Sequence, residues 1–117
     1  MRMRFWLVPV FLLTLALPAF ADDRSDARAV VEFGITVAKK GLWQEANRRF
    51  EQATRVDPTY ASAWNNLGIS YEQLGKFDLA RRAYEKALEL DPGNTYTRSN
   101  YDLFREIYDR QNRRRDR

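Results

Sequence analysis

Apolar residues recur at three- and four-residue spacing along most of the chain. Val30, Phe33 and Val37 form one such stripe, and Trp64, Leu67 and Tyr71 form a second stripe 34 residues later. This period predicts amphipathic α-helices, each with one apolar face that must find a partner. Phe50 and Ala53 after the first stripe, and Tyr84, Ala87 and Leu88 after the second, supply facing stripes on two further helices. Each first stripe is therefore expected to pack against the helix that follows it. Gly34 and Gly68 lack a side chain where two helices must come close, and Gly41 and Gly75 punctuate short turns. Asp57-Pro58 and Asp91-Pro92 end the units, because proline cannot continue a helix and restricts the residue before it.

The two units form an internal repeat. Ala27 to Tyr60 aligns without a gap under Ala61 to Asn94, each block being 34 residues long. The second block reads Trp64-x2-Leu67-Gly68-x2-Tyr71, then Gly75, Ala80, Tyr84, Ala87 and Pro92. The first supplies Val30, Phe33, Gly34, Val37, Gly41, Ala46, Phe50, Ala53 and Pro58 at the same offsets. This pattern resembles the tetratricopeptide repeat (TPR), a helix-turn-helix unit with large residues at repeat positions 4, 7, 11 and 24. The family keeps small residues at positions 8, 20 and 27 and proline at 32. The resemblance implies an all-α fold, a right-handed α-α solenoid of two helix pairs, 27–60 and 61–94.

Carried forward, the register puts Arg98, Asp102 and Arg105 on one polar helical face, and Tyr101, Phe104 and Tyr108 on another that can pack back on the second repeat. Residues 95–110 are thus a partial third repeat acting as a capping helix, the fifth of the array. Residues 22–26 are expected to be a short linker, and 111–117 a basic disordered tail.

The N-terminus has a different character. Arg2 and Arg4 precede an almost wholly apolar run from Phe5 to Ala16, which ends in Leu17-Pro18-Ala19-Phe20-Ala21. Small residues at Ala19 and Ala21 give the A-x-A pattern of a secretory signal peptide cleaved before Asp22. Pro9 and Pro18 interrupt the run, which a spanning helix would need to extend to about 20 residues. Residues 1–21 are read as cleaved and the product as exported, to the periplasm of a Gram-negative bacterium. An inner-membrane anchor is the alternative if cleavage does not occur.

The chain has 117 residues, a formal net charge of +4, no histidine and no cysteine. Thiol and imidazole catalysis, disulfides and thiolate or imidazole metal sites are therefore excluded. No paired carboxylate motif, phosphate loop or nucleophile elbow organises the acidic residues, so no catalytic, cofactor or metal site is assigned and the protein is not expected to be an enzyme. Between Ala27 and Asp109 the chain balances 12 basic against 12 acidic residues, whereas Arg110 to Arg117 sums to +4. The tail lacks interleaved aromatics and a known reading module, which makes nucleic acid an unsuitable partner. Arg113, Arg114, Arg115 and Arg117 suit a weak contact with an anionic surface.

The resemblance also implies where a partner binds: the concave face, built from positions 2, 5, 6, 9, 12 and 13 of each first helix. Position 9 is Ile35, Ile69 and Leu103 in succession, an apolar row down that groove. Val31, Tyr96 and Ile107 lie beside it, and Asn65, Asn66 and Asn100 can bond a peptide backbone. These nine residues are the candidate groove for an apolar helix or extended segment of another protein. The family's carboxylate clamp is not expected, because of its lysine, asparagine and arginine positions only Asn66 matches. The expected role is an adaptor or assembly factor, the alternative being a structural protein that forms a homodimer through the same groove.

Overall fold

Five helices form among the residues that the computed structural model describes, 2–4 and 20–117: α1 (Phe20–Lys39), α2 (Trp43–Val56), α3 (Ala61–Gln73), α4 (Phe77–Leu90) and α5 (Thr95–Arg115). No strand occurs among them. Neighbours pack in sequence, α1 on α2, α2 on α3, α3 on α4 and α4 on α5, while α1 also touches α3 and α3 touches α5. The first helices thus line one wall and the second helices the other, which is the expected all-α solenoid of two helix pairs and a cap.

The turns repeat in detail. Gly41 and Gly75 adopt φ of 76° and 72°, a left-handed conformation that glycine alone takes freely. Gly41 N–H donates to the Ala38 carbonyl and Leu42 N–H to that of Val37; Gly75 and Lys76 do the same to Glu72 and Tyr71. Both pairs are the paired bonds that close a helix end around a left-handed residue. The two glycines inside first helices serve packing. A Cβ on Gly34 would sit 2.6 Å from the Phe50 ring, and one on Gly68 would sit 2.9 Å from that of Tyr84.

The core has two parts. Val31, Val37, Ala46, Phe50, Ala53, Ala63, Leu67 and Ala83 form the first, with Val30, Ile35, Tyr60, Trp64 and Tyr71 against it. Ala80, Tyr84 and Phe104 form the second, which Ile69, Phe77, Tyr101 and Tyr108 complete. Phe104 is fully buried, and its ring lies 5.4 Å from Tyr84, 5.7 Å from Tyr108, 6.2 Å from Phe77 and 6.4 Å from Tyr101, centroid to centroid. Tyr101, Phe104 and Tyr108 thus hold the cap to the second repeat as expected, while Arg98, Asp102 and Arg105 face water.

Tyrosine hydroxyls tie successive helices together. Tyr71 on α3 donates to Glu51 on α2 at 2.7 Å, Tyr84 on α4 to Glu72 on α3 at 2.8 Å, and Tyr101 on α5 to Glu85 on α4 at 3.0 Å. Burial, then the adjacent Glu51 carboxylate, push the Tyr71 hydroxyl up to about 12. Burial, then the adjacent Glu72 carboxylate, raise Tyr84 further. These phenols therefore remain donors at any physiological pH.

Four expectations require correction. The stripe of the second repeat meets the preceding repeat as well as its own second helix: Leu67 and Trp64 pack with Phe50 and Ala53 of α2, and Trp64 Nε1 donates to the Pro58 carbonyl at 2.8 Å. No repeat precedes α1 among the described residues, and so Phe33 is 52% exposed, covered only by the Arg49 guanidinium 5.0 Å from its ring centroid. Residues 22–26 are helical, not a linker, because Arg24 fastens α1 to the end of the first repeat. Its Nε donates to Asp57 Oδ2 at 2.6 Å and its guanidinium covers the Tyr60 ring at 4.8 Å. The basic tail is helical as far as Arg115, with Arg113, Arg114 and Arg115 in the last turn, where cations favour the unpaired carbonyls.

Candidate interaction surface

The first helices α1, α3 and α5 carry the nine candidate groove residues, and the structure divides them into three groups. Val31 and Asn65, both at repeat position 5, are 2% and 3% exposed and so are not open to a partner. Position 5 faces the next first helix. Val31 meets Ala63 and Leu67 in the core, and Asn65 Oδ1 accepts from Asn100 Nδ2 on α5 at 3.3 Å. One bond therefore already joins Asn65 and Asn100 across a helix joint.

Ile35, Asn66 and Ile69 come together. With Ala38, Lys39, Trp43 and Phe50 they line an open recess of about 350 Å³ between α1 and α3, floored by α2. Ile35 and Ile69 are half-buried, each leaning one flank on the core and turning the other to the recess. The Asn66 side chain is held by donation from its Nδ2 to the Ser62 carbonyl at 2.8 Å. Lys39 is an exposed cation at the rim. The recess is of the size that accepts a few side chains, its wall apolar and its polar groups few.

Tyr96, Leu103 and Ile107 lie outside that recess on α5, and are 66%, 60% and 40% exposed. The position-9 row is thus broken after Ile69, since Leu103 is 60% exposed and outside the recess.

Trp43 and Phe50 were not named for the groove. Trp43 opens α2 directly after the Gly41 turn, where the second repeat has Phe77, and that shared offset is the signal that could have flagged it. A buried polar pair also escaped the sequence: Asn47 Nδ2 donates to Ser70 Oγ at 2.9 Å, and that hydroxyl donates to the Leu67 carbonyl at 2.8 Å. This pair joins α2 to α3 directly beneath the groove wall.

Behind the groove, Asp57 is buried between the repeats. Burial alone would raise its carboxyl, but bonds from the Thr59 hydroxyl at 2.6 Å, the Thr59 amide at 3.0 Å and Arg24 hold it below the usual carboxylate value. It stays charged and locks the inter-repeat turn that sets the angle between α1 and α3.

A family model described as tetratricopeptide repeat matches residues 61–94, and one described as TPR repeat matches residues 37–75. The crystal structure of the Sgt2 TPR domain from Aspergillus fumigatus superposes with a TM-score of 0.68 at 19% identity, covering 82% of this chain and 83% of that chain. No curated protein matches this chain. TPR units form a protein-interaction fold that binds other proteins or peptides and is not a catalytic one. With the repeat spacing, the two model matches and the fold in agreement, residues 37–94 are tetratricopeptide repeats.

Proposed function

We propose that the protein is an exported adaptor or assembly factor that binds an apolar helix or extended segment of another protein in its concave groove. The observation that carries this reading is the recess lined by Ile35, Ala38, Trp43, Asn66 and Ile69, an apolar hollow on the wall formed by the first helices. Export is supported by the basic, apolar and A-x-A segments of residues 1–21, of which residues 1 and 5–19 lie outside the described structure. Among the described residues no helix is long and apolar enough to cross a membrane. The periplasm is the compartment proposed, and Asp22 the first residue of the processed chain; N-terminal sequencing of the exported protein checks both points.

The groove is tested with a displayed random-peptide library panned against the processed chain. Peptides carrying two or more large apolar residues should be enriched, and Ile35→Lys should weaken them at least about tenfold, equivalent to about 1.4 kcal/mol. Arg82→Glu, on the exposed side of α4, should leave them unchanged, with circular dichroism confirming that both variants fold. Peptides that bind Ile35→Lys as tightly as the unaltered chain would refute groove binding. A concentration-dependent dimer in sedimentation, dissolved by the same variant, would make the occupant a second copy of this chain.

A further inference from the structure

The large exposed apolar side chains of the described residues are scattered singly, except on α5. Met3, Phe33, Leu42 and Leu79 stand apart, whereas Tyr96, Leu103 and Ile107 share one helix. At 3.6 residues per turn these three fall within a sector of about 40°, and Arg110 and Arg114 extend the same row within about 60°. Ile107, Arg110, Gln111 and Arg114 line one shallow surface hollow there. The row is adjacent to, but separate from, the face that buries Thr97, Tyr101, Phe104 and Tyr108 against α4.

Charge follows the same geometry. Arg110, Arg113, Arg114, Arg115 and Arg117 are all exposed, on the stretch that makes the only large imbalance after Ala27. Glu106 lies beside the row and its Oε2 is 3.8 Å from Arg110. Asp102, Asp109 and Asp116 fall about 80° or more round the helix from it. Arg110 and Arg114 continue the apolar row on one flank, with Arg113 and Arg115 to either side of it, so a planar surface of anionic headgroups meets the apolar side chains and the cations in one contact. An acidic peptide would pair with the arginines and leave Tyr96, Leu103 and Ile107 in water.

We infer that α5 is a membrane-surface element: Tyr96, Leu103 and Ile107 enter the headgroup boundary of an anionic bilayer while Arg110, Arg113, Arg114 and Arg117 bind its phosphates. An exposed apolar row continuing into a basic end is the arrangement by which a helix lies on a lipid surface without crossing it. The attraction is electrostatic in its first step, so it is salt-dependent. Docking through α5 leaves the recess between α1 and α3 free.

The test is cosedimentation of the full chain with vesicles of phosphatidylcholine, alone or with about 30 mol% phosphatidylglycerol. Binding to the anionic vesicles should be at least about tenfold tighter, and should fall at least about tenfold in Arg110→Glu/Arg114→Glu and on raising salt from about 0.05 M to about 0.5 M. Leu103→Ser/Ile107→Ser should also weaken it, by about threefold or more, with an unchanged circular dichroism spectrum because both side chains are exposed. Equal binding to both vesicles, or unchanged binding of the charge-reversed variant, would assign adhesion to the apolar residues 5–19 and overturn the inference. So would failure to bind any vesicle, and capture of an oligoglutamate peptide in that case would point to an acidic protein partner.

Discussion

Truncating Phe104 tests both the cap and the register on which the surface assignments rest. The ring is fully buried and lies within 6.4 Å, centroid to centroid, of Phe77, Tyr84, Tyr101 and Tyr108. Replacing a buried phenylalanine by alanine costs about 3–5 kcal/mol, the loss of transfer energy plus the cavity left behind. A domain of this size has about 5–15 kcal/mol in all. One kcal/mol moves the midpoint of such a domain by about 4–8 °C, so Phe104→Ala should melt at least about 12 °C lower. Leu103 is its neighbour in sequence yet 60% exposed, and Leu103→Ala should shift stability by no more than about 0.5 kcal/mol. Thermal melts followed by circular dichroism give both numbers. Hydrogen exchange should show α5 losing protection first, because a terminal unit of a solenoid is held by its nearest neighbours alone. A Phe104→Ala midpoint within about 4 °C of the unaltered chain, or a Leu103→Ala loss as large as that of Phe104→Ala, would mean that α5 is rotated from the position argued above.

Gly68→Ala places a methyl 2.9 Å from the Tyr84 ring, and should destabilise by about 1–3 kcal/mol in denaturant melts although alanine is the better helix former. Because the Asp57 carboxyl is held below its ordinary value, it contributes stability that is present above about pH 4 and lost as pH falls through the folded-state value. The stability difference between the unaltered chain and Asp57→Asn, measured by urea unfolding, should therefore be largest near about pH 6 and shrink towards about pH 2.

The repeat was legible because its signals are local. The turn glycines, the Asp-Pro stops and the 34-residue period each depend on residues a few positions apart, and the backbone at Gly41 and Gly75 has the positive φ that such turns need. The cap was legible for the same reason, as Tyr101, Phe104 and Tyr108 recur at helical spacing on a face separate from that of Arg98, Asp102 and Arg105. What the sequence concealed depends on the rotation between successive repeats. Val31 and Asn65 look like groove residues on a helical projection, but that rotation brings the next first helix over position 5 and buries both. Phe33 is misjudged for the converse reason, since its position packs against a preceding repeat. The helical turn at residues 22–26 is held by the ion pair of Arg24 with Asp57 and the helix end at Arg115 by charges at a helix terminus, neither of which has an apolar period.

The position of the recess follows from a difference between the two joints of the array. Between α1 and α3 the first-helix positions 9 and 10 present Ile35 with Thr36 from one repeat and Ile69 with Ser70 from the next, and Ser70 turns inward to Asn47. Nothing large enters from above, so Ile35, Ile69 and Trp43 keep an open flank. Between α3 and α5 the residue at position 10 is Phe104. Its ring reaches Phe77, the counterpart of Trp43, and packs with Ile69 and Tyr84, filling the space that remains hollow at the first joint. The aromatic that fills the α3–α5 joint thus leaves the apolar recess at the α1–α3 joint, while the outer flank of α5, which no other described helix covers, keeps Tyr96, Leu103 and Ile107 in contact with solvent.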